Sequence, residues 1–141
     1  MSSDWASDEF AKLSAEHFEP LCEVLGLGER SLASGRGFAI SSAASGAVRV
    51  FFEHDRGLCH FSVGLASETD PLCSVEVVAR RFPPVRLLRA GEQRLSLSEQ
   101  TQLIKDHWRE LQHMFGPALA EMRDWMASVR AADTAKYSGS V

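Results

Sequence analysis

The chain has 141 residues, 45 % of them hydrophobic and 24 % charged, with a net charge of −4. That is the length of one domain able to bury a sizeable core, and the acidic balance excludes general affinity for nucleic acid, which needs clustered Lys and Arg. No run approaches the roughly 20 apolar residues of a membrane span, and the acidic start Met1-Ser-Ser-Asp-Trp5 is unlike a secretory leader.

Residues 1–6 are expected to be a flexible N-terminus, 7–130 a single α+β domain and 131–141 a disordered tail. Residues 7–25 predict a helix, with Phe10, Leu13, His17, Leu21 and Val24 at three- and four-residue steps. Phe18, Cys22 and Leu25 widen that stripe; Ser7 is a plausible N-cap and Gly26 a stop. Pro20 lacks an amide donor and should kink or divide the helix. A Ser/Gly/Ala-rich stretch follows, in which Gly37–Ser42 suggests a short strand with Phe38 and Ile40 inward, and Ser41–Gly46 a loop.

The run Val48-Arg-Val-Phe-Phe-Glu-His-Asp-Arg-Gly-Leu-Cys-His-Phe-Ser-Val-Gly-Leu65 carries two alternating apolar stretches around a polar turn, the pattern of a β-hairpin. Val48, Val50 and Phe52 share one face with Cys59, Phe61, Val63 and Leu65 of the second strand. Arg49, Phe51, Glu53, Leu58, His60 and Ser62 lie on the other, which an antiparallel sheet is free to leave open.

Asp70-Pro71 predicts a helix start, continued by Leu72, Val75, Val78 or Ala79, and Phe82, although Val75, Val77 and Val78 favour strands. Pro83-Pro84 ends it, and 85–97 is read as a second small hairpin or an irregular crossing. In the last third, Ile104, Trp108, Leu111, Phe115, Ala118, Met122, Trp125 and Val129 form a heptad-like seam. Ser98 is the expected cap, and Gly116-Pro117 the expected bend or break. The fold class is therefore α+β: a three- to five-stranded antiparallel sheet against an N-terminal helix and a long, bent C-terminal helix.

Charge is uneven. Residues 1–30 carry a local charge of −5 and residues 76–94 one of +3, the latter from Arg80, Arg81, Arg86, Arg89 and Arg94. Two solvated faces account for this, and an acidic patch for a basic partner is the sharper reading. Three cysteines (Cys22, Cys59 and Cys73), each in an apolar stretch, fit reduced, buried thiols of a cytosolic protein.

The spacing His54-x4-Cys59-His60 is superficially ligand-like. Adjacent strand residues project to opposite faces, however, so Cys59 and His60 cannot share an ion. A buried cysteine with two surface or edge histidines is the expected arrangement, and no metal is assigned. His107 and His113 do not share a helix face, and His17 reads as a core histidine. Nucleophile elbows, dinucleotide turns and phosphate loops are missing from the sequence, so no cofactor is assigned.

The hairpin Val48–Leu65, the following Val77-Val78 and Leu111-Gln-His-Met-Phe-Gly-Pro-Ala-Leu119 resemble a set of small bacterial single-domain proteins that includes immunity proteins of toxin systems. The likeness spans about 10–128 and implies a cytosolic, non-enzymatic protein that binds and neutralises a cognate toxin. The element order is also similar to type III secretion chaperones, which are small, acidic and dimeric, although the long Ser/Gly/Ala-rich stretch and weak second hairpin depart from them. A protein-binding module presenting Arg49, Phe51, Glu53 and His60 on an open hairpin face is the primary expectation, with a homodimer admitted. The competing class is a small-molecule binder or enzyme with a pocket between sheet and C-terminal helix, lined by Trp108, His107 or His60.

Overall fold

In a computed structural model of the chain, residues 4–55, 57–82 and 95–138 are described, with side chains from 8 to 132 within those stretches. Helix α1 (Asp4–Leu13) runs through one π-turn (Ser14–Phe18) into α2 (Glu19–Leu25). The π-turn is the local answer to Pro20. That ring offers no N–H and crowds the carbonyl four residues back, so one extra residue is absorbed and the Glu19 N–H reaches Ser14 O instead.

The insertion rotates the apolar stripe. Phe10, Phe18, Leu21 and Cys22 are buried, whereas Val24 is 67 % exposed and His17 sits at the rim near Glu16. The expected core roles of Val24 and His17 are thus corrected. The helix begins at Asp4, before the Ser7 cap; residues 1–3 lie outside the described residues. Gly26, at φ +66°, ends α2 as its freedom at positive φ allows.

Five antiparallel strands follow in the order β1 (Gly28–Gly35), β2 (Phe38–Ser45), β3 (Val48–Asp55), β4 (Leu58–Leu65) and β5 (Cys73–Ser74). The β3–β4 hairpin has the expected register, Phe52 opposite Phe61 and Val50 opposite Val63. The loop expected at Ser41–Gly46 is instead most of β2, paired along its whole length with β3. Its alanines and serines carry little strand propensity, and pairing on both sides overrides it.

That register turns Ser41 and Ala43 toward Phe52 and Val50, so Phe38 and Ile40 face the opposite side. Their predicted inward placement is corrected. Gly46, at φ +63°, makes the β2–β3 turn beneath Gln112. The Gln112 amide accepts from Ala47 N and donates to Ser45 O, both at 2.8 Å. A side chain at position 46 would collide with that clamp.

The core lies between one face of the sheet and the helices. Phe52 stands at its centre, with ring centroids of Phe61, Phe10 and Phe18 at 4.9, 5.4 and 6.3 Å. Val48, Val50 and Val63 extend the apolar row.

Leu72–Ser74 is extended along the edge of β4, Leu72 N donating to Val63 O at 2.9 Å. The helix expected from Asp70 is therefore displaced: Ser74 caps α3 (Val75–Val78), its Oγ accepting from Val77 N, and a 3₁₀ turn (Ala79–Arg81) completes it. Val75, Val78, Ala79 and Phe82 are buried as their spacing predicted. The second hairpin of 85–97 falls largely on residues outside the described ones, as do Arg86, Arg89 and Arg94.

Ser96 rather than Ser98 caps α4 (Leu97–Asp106), in a reciprocal box with Glu99. Helix α5 (Trp108–Met114) follows after a break at His107, and Gly116-Pro117 separates it from α6 (Leu119–Ser138). Ile104, Leu111, Phe115 and Met122 of the seam are buried. Helix α6 continues to Ser138, through most of the expected tail; residues 139–141 lie outside the described residues. Among the described residues, no helix is long and apolar enough to cross a membrane.

Candidate functional site

The four residues expected on an open hairpin face share one side of the sheet, but only part of it is open. Phe51 is 1 % exposed and Arg49 9 %, which corrects their expected exposure. After β4 the chain folds back so that Asp70 O and Leu72 N lie against Gly64, whose missing side chain makes room beside the Phe51 ring. Ser42, Ala44 and Ser62 are buried around them.

Arg49 acts as a fastener in this closed half. Its Nε donates to Ala66 O, and its Nη1 to Glu29 O and Ser42 Oγ, all at 3.0 Å. Nη2 lies 3.5 Å from Glu29 Oε2. Glu29 holds φ +49° at the bulge of β1, a conformation that side chains rarely adopt. Arg49 grips both its carbonyl and its carboxylate, and so holds the bulge of β1.

Glu53 and His60 face each other across β3 and β4, nearer the solvent. The Glu53 carboxylate accepts from His60 Nε2 at 2.9 Å and from Ser62 Oγ at 2.5 Å. Burial works to raise its pKa, but the hydrogen bonds from His60 and Ser62, together with the His60 charge, hold it below the ordinary carboxylate value. Both donors converge on the same Glu53 oxygen. The pair anchors a carboxylate.

Beside this pair lies a hollow of about 490 Å³ lined by Arg36, Phe38, Ile40, Glu53, Asp55, Asp70 and Pro71 among others. Phe38 is 45 % exposed, and Leu58, on the same face, 57 %. These two apolar side chains, with an acidic rim, were not singled out from the sequence as site residues. Leu58 was legible from strand parity, whereas the side that Phe38 takes depends on pairing with β3.

Among the described residues, His60 and His107 do not converge on one pocket between sheet and C-terminal helix. His60 lies on the sheet face away from Phe52, while His107 belongs to the helical side, its ring stacked on Phe82 at 4.1 Å. Trp108 packs against the core. A different hollow, about 500 Å³, lies among Arg81, Phe82, Arg109, Glu110, His113 and Met114, and Arg81 covers the Trp125 ring at 5.2 Å.

Cys59 and His60 point to opposite faces as expected, Cys59 opposite His54 and His60 opposite Glu53. His54 is buried rather than at the surface, its Nε2 3.5 Å from Glu9 Oε2. Among the described residues, no group of three or more His, Cys, Asp or Glu is placed to hold a metal ion. Burial pushes the Cys22 and Cys59 thiols up to about 11 and Cys73 to about 12, so at neutral pH they stay protonated and are poor nucleophiles. Comparison with known proteins finds no matching family model, no matching curated protein and no matching solved structure.

Proposed function

We propose that the chain is a non-enzymatic protein-binding module whose docking surface is the open end of the outer sheet face, centred on Phe38 and Leu58 and rimmed by Glu53, Asp55, His60 and Asp70. The observation that carries the reading is the exposure of two large apolar side chains on one sheet face, Phe38 lining a hollow and Leu58 on the strand beyond. Interfaces place a few such anchors inside a polar rim. The rim carries more acid than base. The partner is accordingly a folded protein presenting a basic patch, which such a rim would steer and orient. In its most specific form, that partner is a cognate bacterial toxin and the chain its cytoplasmic immunity protein.

The test pairs the chain with the product of the neighbouring reading frame. Binding is measured by calorimetry, and rescue of growth by co-expression. The reading predicts a complex that Phe38→Ser with Leu58→Ser weakens at least tenfold while the thermal midpoint holds. An affinity indifferent to both substitutions, or a metabolite that binds tightly in their place, removes it.

A further inference from the structure

The two edges of the sheet are finished differently. β5 is two residues long, and just beyond it the Phe61 N–H of β4 is met by Gln100 Oε1 at 2.8 Å. The Phe61–Val63 stretch of that edge is closed. β1 is eight residues long, every one exposed, and has no strand on its far side among the described residues. Proteins ordinarily blunt such an edge with charged side chains, Pro, a bulge or a cover; β1 has its bulge and charges at Glu29 and Arg30, and from Ser31 to Gly35 it holds none of these among the described residues.

Leu32 is the unexplained residue on it. It pairs with Ser41, which pairs with Phe52, which pairs with Phe61. Leu32 therefore ends the central row of the apolar face, yet it is 68 % exposed. Val24, 67 % exposed, is on α2, which the Arg30–Glu19 ion pair ties to β1.

We propose that β1 pairs antiparallel with β1 of a second copy, about a two-fold axis through Leu32, joining the two sheets into one of ten strands. The register follows from the strand itself. A two-fold axis perpendicular to a continuous sheet keeps each copy's apolar face on the same side, so Leu32 can oppose only residues of its own face: Arg30, Leu32 or Ser34 of the other copy. An axis at Ala33 sets Arg30 against Arg36, a repulsive pair. One at Ser31 sets Leu32 against the charged Arg30. The axis at Leu32 places leucine on leucine, Arg30 on Ser34 and Ser31 on Ala33, with no like charges opposed. Such an isologous contact closes at two copies. It also leaves the Phe38–Leu58 surface, on the other face, free for the partner.

Sedimentation equilibrium of the whole chain tests this, together with Leu32→Cys and Ser34→Cys under a mild oxidant and mapping of linked peptides by mass spectrometry. The expected result is a dimer in which the Leu32→Cys thiols cross-link directly, since opposed Cα atoms on paired strands lie about 5 Å apart. The Ser34→Cys thiols, displaced along the strands, should not. Leu32→Lys should weaken association roughly tenfold or more with an unchanged far-ultraviolet spectrum. A monomer at every accessible concentration, a dimer indifferent to Leu32→Lys, or preferential linkage through Ser34→Cys overturns the proposal.

Discussion

The outer face of the sheet is divided, and its two halves rest on different physics. In one half Phe51 is sealed beneath the returning chain, and Arg49 satisfies the carbonyls of Glu29 and Ala66. In the other, residues of the same strands, Glu53 and His60, meet solvent beside the exposed Phe38 and Leu58. Position along a strand, and not merely side of the sheet, decides whether an apolar residue serves stability or is free for contact.

Substitution should separate the halves sharply. Phe51→Ala is expected to cost about 3–5 kcal/mol by urea unfolding, the range for truncating a buried aromatic ring. A cost below 1 kcal/mol would mean that this half is open too. Arg49→Met comes next, at about 2–3 kcal/mol, because it strips the donors from Glu29 O, Ala66 O and Ser42 Oγ and releases the bulge at Glu29. Gln100→Leu, which orphans the Phe61 N–H at the closed edge, should cost about 1–2 kcal/mol by the same measurement.

Glu53→Gln sharpens the comparison through pH. The folded-state pKa of Glu53 is depressed, so its contribution is present above the ordinary carboxylate value and fades as pH falls through that value toward the folded one. The stability gap between the native chain and Glu53→Gln should be under about 1 kcal/mol at neutral pH, begin to narrow near pH 4.5 and close only as pH falls through the lower folded-state pKa. A gap that widens in acid would contradict the hydrogen-bonded carboxylate. Phe38→Ser and Leu58→Ser sit at the bottom of the scale, each within about 0.5 kcal/mol of the native chain.

Legibility followed side-chain size. The β3–β4 hairpin and the seam from Ile104 to Met122 could be read because large apolar residues repeat at strand or helix period. β1 was not read and β2 only in its first half, because Ala39, Ser41, Ala43 and Ser45 on the core face of β2 and a single large apolar residue, Leu32, on β1 leave no alternation to see. The π-turn at Pro20 moved Val24 off the stripe, a shift that periodicity alone cannot express. For the candidate site, parity placed Glu53 and His60 on the correct face, but the cover over Phe51 comes from a loop distant in sequence. The side that Phe38 takes was likewise set by its partner strand.

The division is tested most directly by the thiol reactivity of Leu58→Cys, free and in complex with the product of the neighbouring reading frame. The three native thiols, held protonated by burial, give a slow background. Fast labelling of the free protein and strong protection in the complex are predicted; slow labelling when free, or equal rates in both, would contradict a docking surface at this end of the sheet.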